Sequence, residues 1–154
     1  MIDSLRASAD SSASARVALP RVGVACVVMR GGRILLVRRQ RSHGAGTWSP
    51  PGGHLHFGET PETCAIRETV EETGVTVSRV DFMAITNDIF TDEEKHYITL
   101  WMRAEASDGE PAVQDRAEIS DVGWFDPGDL PSPRFLSLEN FLAGRGLPPT
   151  VELT

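Results

Sequence analysis

The chain has 154 residues, enough for one domain with its own hydrophobic core. Hydrophobic residues make up 40% and charged residues 24%, an ordinary globular balance that excludes a disordered or fibrous chain. A net charge of -7 argues against a protein held on nucleic acid by broad electrostatics. It leaves an anionic substrate open, because a bound cation inverts the local field of an acidic site.

Residues 1–19 read as a flexible tail, with a Ser/Ala-rich run from Ser8 to Ser14 and no apolar periodicity. A single domain is expected over 20–154. Val22 to Met29 is a dense β-branched run, expected as a buried strand, and Gly31-Gly32 marks a hairpin. Ile34 to Val37 is the return strand and ends in the basic cluster Arg38, Arg39 and Arg41. A flexible loop is expected from Ser42 to Gly46. Thr47 to Pro51 is a short extended piece, stiffened by Pro50-Pro51 and released by Gly52-Gly53.

The pattern then changes to a helix. Thr60 suits the N-cap, Pro61 the first helical position and Gly74 the C-cap, so the spacing predicts a helix to about Thr73. Val75 to Phe90 and His96 to Ala104 read as strands joined by Asp92-Glu93-Glu94, and Val122 to Phe125 as a short strand. A turn at Asp126-Pro127-Gly128 precedes a last amphipathic helix over Arg134 to Ala143, stopping at Gly144. Strands on both sides of one helix, with a second helix at the end, imply an α+β class sandwich.

The two cysteines, Cys26 and Cys64, form no CxxC pair, so two buried thiols are expected and no disulfide framework or zinc site. No stretch approaches the ~20 apolar residues of a membrane helix, and the N-terminus lacks the apolar segment of a secretory signal. A cytoplasmic protein with no membrane partner is the expectation.

The chemistry concentrates in Gly53 to Val75, GHLHFGETPETCAIRETVEETGV. On the expected helix, Glu68 and Glu72 are four apart and share a face, and Glu71 adjoins them. Three like charges so close repel one another and raise their own pKa values. A divalent cation removes the conflict, and all-oxygen ligands favour Mg2+ or Mn2+. Glu59 is placed to reach Arg67, a pair that locks the glycine loop onto the helix and aims the carboxylates. A solvated acidic helix face is the alternative reading of these residues alone.

This segment resembles the Nudix box, G-x5-E-x7-R-E-U-x-E-E-x-G-U with U a bulky aliphatic. Gly53, Glu59, Arg67, Glu68, Glu71, Glu72 and Gly74 match it, and Val75 supplies the last aliphatic. Thr69 departs, standing where the first aliphatic belongs, and modest repacking by Val70 and Ile66 is expected there. The resemblance implies a Nudix α/β/α sandwich with a central mixed sheet. It also implies a divalent-metal hydrolase that activates water for attack on phosphorus. It makes Glu68, Glu71 and Glu72 metal ligands, with the Gly53 carbonyl as a further one. The general base stays open among Glu68, Glu71 and a later carboxylate, Glu118 first and Asp121 second.

Gly44-Ala45-Gly46, Pro51 to Leu55, Phe57 to Thr60 and His96-Tyr97 extend the similarity to MutT-type nucleoside triphosphate diphosphatases, including the mammalian type that acts on thiopurine nucleotides. Such enzymes release a nucleoside monophosphate and pyrophosphate, and a homodimer is common among them. The resemblance assigns Arg39 to phosphate, the alternative being an arginine that merely projects from a strand end. Phe135 could stack on a base or serve as a plain core aromatic, and Gly52 joins the substrate-binding set. Thr47 and Ser49 stand near the same pocket. His54, His56 and His96 follow no zinc spacing. The resemblance favours a purine or oxidised purine triphosphate. Hydrolysis of ADP-ribose or a nucleotide sugar, and a Nudix-fold sensor without turnover, are the alternatives.

Overall fold

The computed structural model describes residues 18–41 and 43–147, so most of the expected N-terminal tail lies outside the described residues, as does Ser42 of the expected loop. The architecture follows from strand β1 (Arg21–Arg30), whose side chains are buried on both faces. Successive strand residues point to opposite faces. Val24, Cys26 and Val28 therefore enter one core, with Cys64, Ala65 and Met102, while Ala25 and Val27 enter a second, with Trp101 and Leu138. The first core lies under helix α1 (Pro61–Thr73) and the second under helix α2 (Leu136–Leu142), so a helix covers each face of one sheet.

The sheet is mixed and seven-stranded. Strand β1 runs parallel to β6 (Lys95–Asp108), which pairs antiparallel with the edge strand β5 (Thr76–Phe90). Strand β2 (Arg33–Arg39) meets β1 only at the hairpin end, at Met29↔Ile34 and Arg30↔Arg33. Farther along, β3 (Trp48–Ser49) takes the edge of β2, and β4 (Gly52–His54) takes the edge of β1. Strand β7 (Ile119–Phe125) pairs with β2. The two halves of the sheet thus diverge from the hairpin, and the Trp48–His54 segment fills the wedge between them.

The expected α+β sandwich is the observed fold. Thr60 Oγ1 accepts from Thr63 N at 3.2 Å, Pro61 opens α1, and Gly74, at φ 73°, closes it by donating to Val70 O at 2.9 Å. Both cysteines are buried free thiols. Four expectations differ. Gly52-Gly53 does not release the extended chain; it continues as β4, and glycine serves close approach there, because a Cβ on Gly52 would run into the Val24 carbonyl. Helix α2 starts at Leu136, later than Arg134, because Trp48 exchanges backbone hydrogen bonds with Pro133 and Phe135 and holds that stretch extended. Strands β6 and β7 outrun their expected bounds, since Thr76↔Asp108 and Arg39↔Ile119 pairings extend them. Ile66 and Val70 do not repack around Thr69. They lie on the outer side of α1, while Thr69 is itself buried and returns its hydroxyl to Ala65 O at 2.7 Å.

Candidate active site

The wedge opens into a cleft of about 570 Å3 bounded by α1, the β3–β4 segment, the starts of β1 and β6, and the loop before β7. One wall is the carboxylate face of α1. Arg67 is its hub. Nε and Nη2 grip Glu59 through both oxygens, at 2.7 and 3.0 Å. Nη1 reaches Glu68 at 2.7 Å and Glu71 at 3.1 Å, and Nη2 also donates to His54 O at 3.3 Å. Glu59 accepts in addition from His56 N at 3.1 Å. The loop between β4 and α1 is therefore pinned to the helix by one guanidinium, and Arg67 holds the Glu59 carboxyl far below its usual range, at about 2.

Glu72 and Glu68 are only 5% and 8% exposed. Burial pushes Glu72 up to about 8, with the Gly52 N–H, 3.1 Å from its Oε2, pulling the other way. Burial also raises Glu68, with Glu71 and Glu118 adding to the rise against Arg67. Gly53 lies against Glu68 so closely that a Cβ would overlap the carboxylate. Two desolvated carboxylates beside a bare backbone hold a proton more readily than free glutamates do, and a cation that displaces it removes the cost of burying their charge. Arg67 Nη1 already stands between Glu68 and Glu71 as such a cation. Among the described residues no three His, Cys, Asp or Glu side chains converge on one point in this arrangement. The donor set fits a hard divalent ion once Nη1 yields its place.

The remaining walls carry the other expected residues. Arg39 is half-buried in the cleft wall, its guanidinium 4.2 Å over the Phe135 ring, and Nε donates to His43 O at 3.1 Å. It therefore packs into the cleft wall and does not merely project from a strand end. Burial lowers its pKa, and Glu72 and Glu118 oppose the shift. Glu118 lines the cleft and pairs with Arg41 at 2.6 Å, whereas Asp121 lies outside it and caps its own neighbour, Val122 N. Ser49 lines the cleft with a buried hydroxyl that has no protein partner; Thr47 instead donates to Gly44 O at 2.6 Å. His54 stands at the rim against Tyr97, and His96 bonds Asn87 away from the cleft.

Sequence reasoning missed one cluster. His43 stacks on Tyr97 at 5.4 Å and meets Phe90 and Phe135 edge-on at 4.5 and 5.1 Å, so one end of the cleft is aromatic. Period-two alternation in β6 was the available signal: Tyr97, Thr99 and Trp101 share a face.

A NUDIX domain model matches residues 19–143. The chain belongs to the Nudix hydrolase family. Nudix hydrolases act on nucleotide substrates and generally use a divalent metal. The chain is 35% identical over 105 residues to the oxidized purine nucleoside triphosphate hydrolase of Danio rerio, covering 68% of this chain and 65% of that one. It is 37% identical over 117 residues to the NAD-capped RNA hydrolase NudC of Chromobacterium violaceum, covering 75% of this chain and 42% of that protein. The matched stretch thus spans less than two thirds of either relative. The MutT NUDIX hydrolase of Burkholderia pseudomallei superposes with a TM-score of 0.76 at 34% identity, over 81% of this chain and 97% of that one. Among the described residues no helix is long and apolar enough to cross a membrane.

Proposed function

We propose that this Nudix hydrolase uses Mg2+, with Mn2+ as substitute, to cleave a purine or oxidised purine nucleoside triphosphate to a monophosphate and pyrophosphate. The observation that carries the reading is the pairing of buried Glu68 and Glu72 on one wall of a cleft with an aromatic end on another. The name of the zebrafish relative supports the same substrate class.

In this reading Glu68, Glu71, Glu72 and the Gly53 carbonyl hold the metal. When bound, the ion supplies neutralisation of the pyrophosphate and a lowered pKa for water. The chain supplies the rest. Glu59 and Arg67 brace the helix against the β4–α1 loop and keep Glu68 aimed. Arg39 meets phosphate oxygens, and Gly52 lines the same cleft, its missing side chain letting β4 lie close against β1. Phe135 forms part of the wall for the base; its face toward Arg39 is taken, so the base meets another part of the ring. Glu118 takes the proton from the attacking water, and Glu71, whose side chain is 58% exposed, is the other candidate.

The test follows phosphate and pyrophosphate release separately on triphosphates, ADP-ribose and nucleotide sugars with Mg2+. Pyrophosphate from a purine triphosphate is expected, and 18O from solvent should appear in one product only. Turnover of ADP-ribose or a nucleotide sugar alone would replace the proposed substrate. Binding without turnover of any would leave a sensor.

A further inference from the structure

Beneath the cleft, on the α2 side of the sheet, lies a fully buried carboxylate that the chemistry above does not use. Asp88 Oδ2 accepts from Thr86 Oγ1 at 2.9 Å and from Thr99 Oγ1 at 2.6 Å. Its Oδ1 accepts from Asn140 Nδ2 of α2 at 2.8 Å. Trp101 Nε1 donates to Thr86 Oγ1 at 2.9 Å, and Arg145 Nη1 donates to Asn140 Oδ1 at 2.9 Å.

The direction of every bond is set by the groups that have no choice. An indole N–H and a guanidinium only donate. Thr86 therefore accepts from Trp101 and passes its own proton toward Asp88. Asn140 turns its oxygen to Arg145 and its amino group to Asp88. A carboxylate only accepts. Thr99, with a single hydroxyl proton, is left as donor to Asp88 and keeps only lone pairs for any other partner.

Thr99 lines the cleft. Gly23 adds no side chain beside it, whereas a Cβ there would lie in van der Waals contact with Thr99 Oγ1, at 3.9 Å. Tyr97 and Phe135 line the same end. We propose that Asp88 is a specificity-setting positioning residue: it locks Thr99 as an acceptor, so that the cleft selects a heterocycle presenting an N–H at that place. This rests on the reading that the cleft holds a purine nucleotide.

Guanine and adenine make the test independent of the docking pose at the relevant edge. Guanine carries N1–H and O6, adenine a bare N1 and an amino group at position 6, so the two are opposite at both positions. Whichever position faces Thr99, one base supplies the donor and the other a lone pair. The wild-type chain should separate GTP from ATP by about tenfold or more, the worth of one hydrogen bond against an unpaired acceptor, chiefly in KM.

Asp88→Asn reverses the logic. Its oxygen must meet the Asn140 amino group, so its own amino group donates to Thr86 and Thr99, and the Thr99 proton turns to the cleft. The base ranking should invert. Thr99→Val, of the same shape, should bring the two bases within about threefold. Thr99→Ser should keep the wild-type ranking, and these two variants decide the matter if Asp88→Asn does not fold, as judged by its melting curve. A ranking unchanged in Asp88→Asn and Thr99→Val, with both substrates weakened alike, would overturn the proposal and leave Asp88 a structural residue. Equilibrium binding of GMP and AMP is measured beside hydrolysis. If no triphosphate is cleaved but the binding ranking inverts, the inference holds and the proposed reaction fails. If triphosphates are cleaved with an indifferent ranking, the reverse is true. Binding of neither nucleotide sinks both.

Discussion

At Glu72, burial and ionisation oppose each other. Its carboxyl is raised to about 8 in the folded protein, against an ordinary value near 4.5. A group raised on folding contributes stability that is full below the unfolded value and is lost as pH rises through the folded one. Metal-free protein should therefore lose melting temperature between about pH 5 and pH 8 on this account. Glu72→Gln should flatten that slope, and added Mg2+ should flatten it in the wild type; a slope indifferent to both would refute the assignment. Glu59 behaves oppositely. It is depressed to about 2, so its contribution is present above the ordinary value and fades as pH falls through 2. In turnover, Glu72→Gln should cost on the order of 100-fold or more while the fold persists. Glu68 and Glu72 were legible in the sequence because helical spacing puts them on one face, and the motif resemblance added Glu59, Arg67 and Glu71 to them. Asp88 and Thr99 were not. Eleven positions separate them, and only the antiparallel register of β5 on β6 brings them together.

Among the elements, the Gly52-Gly53 strand offers a contrast that two alanines can read. A Cβ at Gly52 meets rigid backbone, the Val24 carbonyl and Ala25 Cα at 3.0 Å, so Gly52→Ala should destabilise by about 1–3 kcal/mol in denaturant unfolding. At Gly53 the obstacle is the end of the Glu68 side chain, which can move. Gly53→Ala should therefore keep near-native stability yet lose turnover, with Glu68 displaced from its aim. Equal stability losses in the two would contradict this division. The α1 cap is a plainer case: Thr60→Ala removes the acceptor for Thr63 N and should cost about 1 kcal/mol. Helix α1 and strand β1 could be placed from residues alone, because caps and β-branched runs act locally. The start of α2 could not, because it is decided by Trp48, far away in the chain.

For the whole molecule, the sandwich follows from β1 being apolar on both sides, which demands cover on both faces. The wedge was not legible, since it depends on β2 leaving β1 after two residue pairs. It places metal-ready carboxylates and an aromatic end in one cleft. Metal should act on this molecule as a ligand on a folded protein. Chelation should leave a single cooperative melt, and Mg2+ should raise its midpoint, more at pH 8 than at pH 6. Loss of the melt in chelator would show that the metal holds the fold together.

Arg67 gives the reason for that expectation a wider consequence. Its Nη1 already sits between Glu68 and Glu71. The acidic helix thus has a tethered placeholder, which offsets the repulsion between Glu68 and Glu71 on the face proposed to hold the ion. In the proposed site, arrival of the ion would be an exchange of one cation for another, and its departure would return Arg67 to both carboxylates.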